Sequence, residues 1–176
     1  MSDGPRVARW FSTLADALVP PTPAYAHCDI PCGIYDPHEA QVSALTVVRM
    51  DQLIAELAPP AAGAKPEEVA KYTSQLARYN LVKEQHAERA KHELRVLWGD
   101  YFTAEHVKQF PDLHEKFFRA LKAASKAKQG PALADAQELL KQVQEVAEVF
   151  WQTKGAKTAR VPSHSKAGGE LVLPVS

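Results

Sequence analysis

The chain is 176 residues long and its formal net charge is zero, with 21 Lys and Arg against 21 Asp and Glu. That length supports one domain with a single core, and a 45% hydrophobic, 24% charged composition excludes wholesale disorder. The charge balance argues against a nucleic-acid or membrane-surface binder, since both need clustered positive charge, and no apolar run approaches the ~18 residues of a membrane span.

Residues 1–26 read as a removable leader. Arg6 and Arg9 precede an apolar-leaning stretch from Trp10 to Val19; Pro20, Pro21 and Pro23 follow, and Ala24-Tyr25-Ala26 closes the segment. The order of basic start, apolar middle and small-x-small end resembles a secretory signal. Ser12, Thr13 and Asp16 interrupt the apolar middle, which favours a short amphipathic leader instead. In either reading a protease could cut between Ala26 and His27.

From Asp36 the pattern is helical. Asp36-Pro37-His38-Glu39 combines an N-cap residue, a proline at the first helical position and an early acid. The helix it opens carries Ala40, Ser43, Val47, Met50, Ile54 and Leu57 on one face. Pro59-Pro60 and Gly63 end it. Pro66, Glu67 and Glu68 start a longer helix, striped by Tyr72, Leu76, Tyr79, Val82, His86, Ala90, Leu94 and Leu97. Gly99-Asp100 is read as its stop. A short helical turn follows from Thr103 to about Gln109. Pro111 opens a third long helix with Leu113, Phe117, Leu121 and Ala124 inward, and Gly130-Pro131 breaks it. The last helix carries Ala136, Leu139, Leu140, Val143, Val146, Phe150 and Trp151 and ends at Gly155. Four long helices with short connections predict an all-α, antiparallel up-down four-helix bundle over residues 36–155. No sustained two-residue alternation appears, so no strands are expected, and residues 156–176 read as a flexible tail.

The chemistry concentrates in His27-Cys28-Asp29-Ile30-Pro31-Cys32-Gly33-Ile34-Tyr35. Two cysteines four positions apart cannot staple a fold. Together with an imidazole, thiolates suit nickel, copper, zinc or iron. A local disulfide, a redox pair and two small buried residues are the competing readings. Zinc would have to borrow histidines such as His86 or His106 to reach four ligands. If the chain is cut after Ala26, the new His27 amine joins the Cys28 amide nitrogen and the two thiolates. Two nitrogens and two sulfurs in a plane select nickel(II) or copper(II), with the His27 imidazole free to approach axially.

This segment, continuing as Asp36-Pro37, resembles the nickel hook of nickel-containing superoxide dismutases. So do Lys83-Glu84-Gln85, Ala90-Lys91-His92, Val96-Leu97-Trp98, Asp100-Tyr101-Phe102, Phe110-Pro111-Asp112-Leu113-His114 and Phe150-Trp151-Gln152-Thr153-Lys154, so the likeness runs from about His27 to Ala156. The resemblance implies dismutation of superoxide at a nickel ion held by His27, Cys28 and Cys32, after removal of a leader by a maturation protease. It also implies a homo-hexamer. Tyr35 and Tyr101 match the family's two tyrosines beside the metal's open face. Asp29 would brace the hook and Pro31 fix its turn. One departure stands out. Familiar members carry a glutamate at the position of Ser43 and an arginine at that of His86, where the pair steadies the axial imidazole. A shorter or water-bridged support from Ser43 and His86 is the expectation here.

The runner-up is a non-catalytic metal-binding or thiol-redox bundle, which would have no need of the Tyr35 and Tyr101 pair. His38, His92, His106, His114 and His164 read as surface or interface residues, and Lys122, Lys126 and Lys128 as a solvated helix face. Two reduced thiols and a broken leader favour the cytoplasm over export.

Overall fold

The structure, a computed structural model, describes residues 33–175. The expectations for the leader, for the Ala26–His27 cleavage site and for His27, Cys28, Asp29, Pro31 and Cys32 lie outside those residues. The first described helix, α1, spans His38–Glu56. The expected start shifts by one residue: Pro37 is the N-cap, and Asp36 just before it accepts the His38 backbone N–H at 2.7 Å, satisfying a donor that has no partner within the helix. Helix α2 spans Pro66–Val96 with a proline at its first position.

The expected stop at Gly99-Asp100 is corrected. The chain continues through a π-helical turn, Leu97–Tyr101, closed by a bond from the Phe102 N–H to the Leu97 carbonyl at 3.0 Å. The wider ring carries the backbone past Gly99 before the chain becomes extended at Phe102. Helix α3, Ala104–Gln109, is short. His106 Nδ1 accepts the Thr103 N–H at 3.1 Å and caps it. Helices α4, Leu113–Gln129, and α5, Leu133–Thr153, complete the helical set.

Four long helices contact one another in a closed cycle: α1 on α2, α2 on α4, α4 on α5 and α5 on α1. Phe117, Phe150, Leu94, Leu113 and Leu139 are fully buried between them, each contributing about 1.5–3 kcal/mol of burial. Ala120, Ala123, Ala124 and Ala127 line the inner face of α4 and leave room for that packing. One ion pair crosses the interior, Lys83 to Asp51 at 2.9 Å, with side chains 4% and 0% exposed. Lys122 and Lys126 are exposed, as a solvated face requires; Lys126 pairs there with Asp135 at 2.8 Å, and the half-buried Lys128 with Glu88 at 3.3 Å.

The end of the chain overturns two expectations. Strands β1, Lys157–Pro162, and β2, Glu170–Val175, form an antiparallel hairpin with Arg160 opposite Val172. The class is therefore mostly helical with one β-hairpin, not all-α, and residues 157–175 are not a loose tail. The hairpin is held by side chains far away in sequence. The Gln41 side-chain amide acts as a strand edge, accepting the Val172 N–H at 2.7 Å and donating to the Val172 carbonyl at 3.1 Å. Gln144 donates to the Glu170 carbonyl at 2.7 Å and Gln52 to the Ala167 carbonyl at 2.9 Å. Gly169, at φ 74°, approaches the helices so closely that a Cβ would stand 3.1 Å from Leu45 and 3.2 Å from Leu140. No helix among the described residues is long and apolar enough to cross a membrane.

Candidate metal centre

Tyr35 lies just before α1, and Tyr101 closes the π-helical turn. The structure brings their rings together at 5.5 Å between centroids, tilted by 54°. Both are half-buried against the core. Tyr101 is fixed on several sides. Phe150 packs at 4.6 Å, Phe102 meets it edge-on at 5.0 Å and His106 stacks at 5.6 Å. Its hydroxyl stands 2.7 Å from Thr153 Oγ1, and Thr153 donates to the Phe150 carbonyl at 2.6 Å. A hydroxyl has a single proton. With the Thr153 proton given to Phe150, Tyr101 donates to Thr153 and keeps lone pairs for accepting. Lys154 Nζ lies 4.9 Å from the centre of the Tyr101 ring, a cation–π contact. It pairs with no carboxylate among the described residues.

Ser43 and His86 lie on α1 and α2, which pack against each other. Ser43, on α1, is fully buried. Its Oγ and the Nδ1 of His86, on α2, are buried with no hydrogen-bond partner. Glu39 and Arg89 join the same two helices at 2.7 Å, one turn from Ser43 and from His86. Burial pushes the His86 pKa below 6.5; the Arg89 charge adds to this and Glu39 opposes it. The imidazole is thus kept neutral, with one donor and one acceptor nitrogen. A buried polar atom left without a partner costs about 1–3 kcal/mol. Both orphaned atoms lie on neighbouring helices, α1 and α2.

Among the described residues no group of three His, Cys, Asp or Glu side chains could hold a metal ion. His106 in particular uses Nδ1 to cap α3. The donors the sequence offers for a soft metal are therefore His27, Cys28 and Cys32, two thiols and an imidazole, a set that suits nickel or copper. The Ser43 hydroxyl and the His86 Nδ1 remain open to a hydrogen bond.

Sequence reasoning missed Thr153 and Lys154 as partners of Tyr101. Both sit in the segment Phe150-Trp151-Gln152-Thr153-Lys154, but nothing in a helical stripe says that the last turn of α5 reaches back to a tyrosine 52 positions earlier.

A family model described as nickel-containing superoxide dismutase matches residues 22–154. The chain is 35% identical over 143 residues to the superoxide dismutase [Ni] of Streptomyces coelicolor, covering 81% of this chain and 99% of that protein. It is 36% identical over 146 residues to that of Streptomyces seoulensis, with the same coverage of 81% and 99%. Among solved structures, a native nickel superoxide dismutase aligns with a TM-score of 0.61 at 36% identity, over 73% of this chain and 99% of its own. A nickel superoxide dismutase in its oxidised state aligns with a TM-score of 0.63 at 36% identity, over 74% of this chain and 100% of its own. The family match ends at residue 154, so the β-hairpin lies beyond it.

Proposed function

The chain belongs to the family of nickel-containing superoxide dismutases, and from this membership we propose how its residues divide the task. Its activity is that of an oxidoreductase with nickel as cofactor: two superoxide ions and two protons become one dioxygen and one hydrogen peroxide.

We propose that cleavage after Ala26 frees the His27 amine, and that this amine, the Cys28 amide nitrogen and thiolate, the Cys32 thiolate and the His27 imidazole hold the metal. Bound there, nickel supplies a one-electron couple whose potential the two thiolates lower into the range superoxide can cross in both directions. Asp29 braces the hook and Pro31 sets its turn. Ser43 and His86 steady the His27 imidazole in place of the glutamate and arginine of familiar members.

Tyr35 and Tyr101 flank the space where the substrate arrives. Because the Tyr101 proton is committed to Thr153, its oxygen accepts from water or from the peroxide product rather than donating to the anion. The Lys154 ammonium over the Tyr101 ring supplies positive potential for a small anion on a chain that is neutral overall.

We further read the helical body as an antiparallel up-down four-helix bundle carrying the hook at its N-terminus. The mature chain assembles as a homo-hexamer. Processing by a dedicated protease in the cytoplasm fits two thiols that must stay reduced.

The observation that carries this reading is the Tyr35–Tyr101 pair, 5.5 Å apart, which a metal-storage or thiol-redox bundle would not need. Cys28→Ser and Cys32→Ser test it on matured protein. Each is expected to abolish nickel retention and superoxide consumption together, while Tyr35→Phe keeps the nickel and slows consumption. Full nickel content in either serine variant would contradict the ligand assignment.

A further inference from the structure

Residues 155–175 are the described residues that the family match leaves out. Between the turn of the hairpin they form, residues 163–169, and helix α1 lies a groove of about 440 Å3, within the ~300–1,000 Å3 of small-molecule sites. The groove is preformed because its hairpin wall is braced. Ser163 Oγ donates to the Gly168 carbonyl at 2.6 Å and accepts the Ser165 N–H at 3.2 Å. The Ser163 N–H meets the Gly169 carbonyl at 2.9 Å. Gln52 of α1 holds the Ala167 carbonyl at 2.9 Å. A ligand entering here has little to order, which favours binding.

The lining fixes the chemistry of the ligand. Val42, Leu45 and Met50 of α1 and Ala167 and Leu171 of the hairpin supply apolar wall. Val42 remains 37% exposed. The charged or titratable side chains of the lining are His38, Arg49 and Lys166, and no Asp or Glu is among them. On a chain of zero net charge this is a local excess of positive charge. Lys166 is exposed and has neither ion pair nor hydrogen bond among the described residues. Arg49 donates to Gln52 at 3.1 Å and reaches Glu56 at 3.4 Å, both through one nitrogen, which leaves donors of its fork unused.

The charges and the apolar wall are segregated. Gln52 bonds both Arg49 and the carbonyl of Ala167, so Arg49 and Lys166 share one end of the groove. Val42 stands two turns earlier on α1, about 10 Å away at ~1.5 Å per residue. His38, one turn beyond Val42, ends the apolar lane. A cationic ligand would meet only like charge. A compact polyanion would leave the apolar lane empty, and a neutral chain would leave Lys166 unpaired. A single anionic head on a chain of moderate length uses both parts.

We propose that the groove between α1 and the hairpin turn binds a free medium-chain carboxylate, its head at Lys166 and Arg49 and its chain along Val42, Leu45 and Leu171. Because one wall lies past the family match, the site is separate from the metal reading and does not rest on it. Occupancy ties the hairpin to α1, so the ligand stabilises the hairpin by mass action.

Titration calorimetry of the full chain with decanoate tests it. The expected result is saturable binding of one decanoate per chain. Decanol, which lacks the charge, and acetate, which lacks the chain, are each expected to bind about tenfold more weakly or less, and decyltrimethylammonium not at all. Decanoate is expected to slow hydrogen exchange of the β1 and β2 amides. Lys166→Glu, on the exposed turn, and Val42→Asn are each expected to weaken decanoate about fivefold or more with helical circular dichroism and superoxide consumption unchanged. No saturable decanoate binding, equal binding of decyltrimethylammonium, or unchanged affinity in either folded variant would overturn the proposal. The ligand series on the wild-type chain decides the matter should a variant unfold. A chain that sediments with anionic phospholipid vesicles but leaves free decanoate unbound would also overturn it.

Discussion

The Tyr101 hydroxyl donates to Thr153 Oγ1 across 2.7 Å, and Thr153 donates its own hydrogen bond to the Phe150 carbonyl. The last turn of α5 thereby sets the orientation of a phenol carried on a different element. Thr153→Val keeps the shape and removes the acceptor. It is expected to cost about 1 kcal/mol of stability, the worth of one hydrogen bond. Nickel content should stay intact while superoxide turnover falls several-fold. Stopped-flow decay of superoxide reads the last of these, and unchanged turnover would show that the orientation of Tyr101 is not used.

Ser43 Oγ and His86 Nδ1 are buried atoms that lack partners, so substitution of Ser43 should act with opposite signs in two states. In metal-free protein Ser43→Ala removes an unsatisfied hydroxyl and is expected to be neutral or stabilising by up to about 1 kcal/mol. In nickel-loaded protein the same change is expected to destabilise and to alter the nickel paramagnetic resonance signal, as the proposed support of His27 by Ser43 requires. Denaturant midpoints in both states check this. Equal shifts in the two states would assign Ser43 to packing alone.

Asp51 and Lys83 form a buried pair, and such pairs are costly to break from one side. Lys83→Met or Asp51→Leu alone is expected to cost about 3–5 kcal/mol, and the double change less than either. Burial holds the Asp51 pKa above 3.8, against the hydrogen bond and charge of Lys83. Between 3.8 and its raised native value the native state therefore binds more protons than the unfolded state. In that window this group makes stability fall as pH rises. Relative to Asp51→Asn, the wild-type chain should gain stability as pH is lowered from neutral into the window. A gap between the two chains that does not widen would contradict the raised pKa.

Gln41 is the link between α1 and the β-hairpin, donating to and accepting from Val172. Gln41→Leu leaves the Val172 N–H and carbonyl unpaired beside a fully buried side chain. The expected cost is about 1–3 kcal/mol for each orphaned group. Because the hairpin lies past the family match, which ends at residue 154, nickel content and turnover per folded chain should not change. Hydrogen exchange should show β1 and β2 amides opening in the variant while α2 and α4 stay protected.

Local signals made the helices legible. Asp36-Pro37, Pro66 and Gly130-Pro131 punctuate the chain, and apolar stripes at three- and four-residue steps mark the buried faces of α4 and α5. The π-helical turn was not legible, because Gly99-Asp100 carries the marks of a stop and only the packing of Tyr101 favours one more, wider turn. The hairpin was not legible either. Its strands lack clear alternation, and the partner that defines β2 is a glutamine 131 positions earlier. The tyrosine pair was named from the family pattern. Its fixing groups, Thr153 and Lys154 at the end of α5 and His106 on α3, come from elements that no periodicity relates.

Intact mass together with nickel analysis of protein matured in cells tests the central claim most directly. The expected result is a chain that begins at His27 and carries one nickel ion while consuming superoxide. An active chain with any other first residue, or activity without nickel, would contradict it.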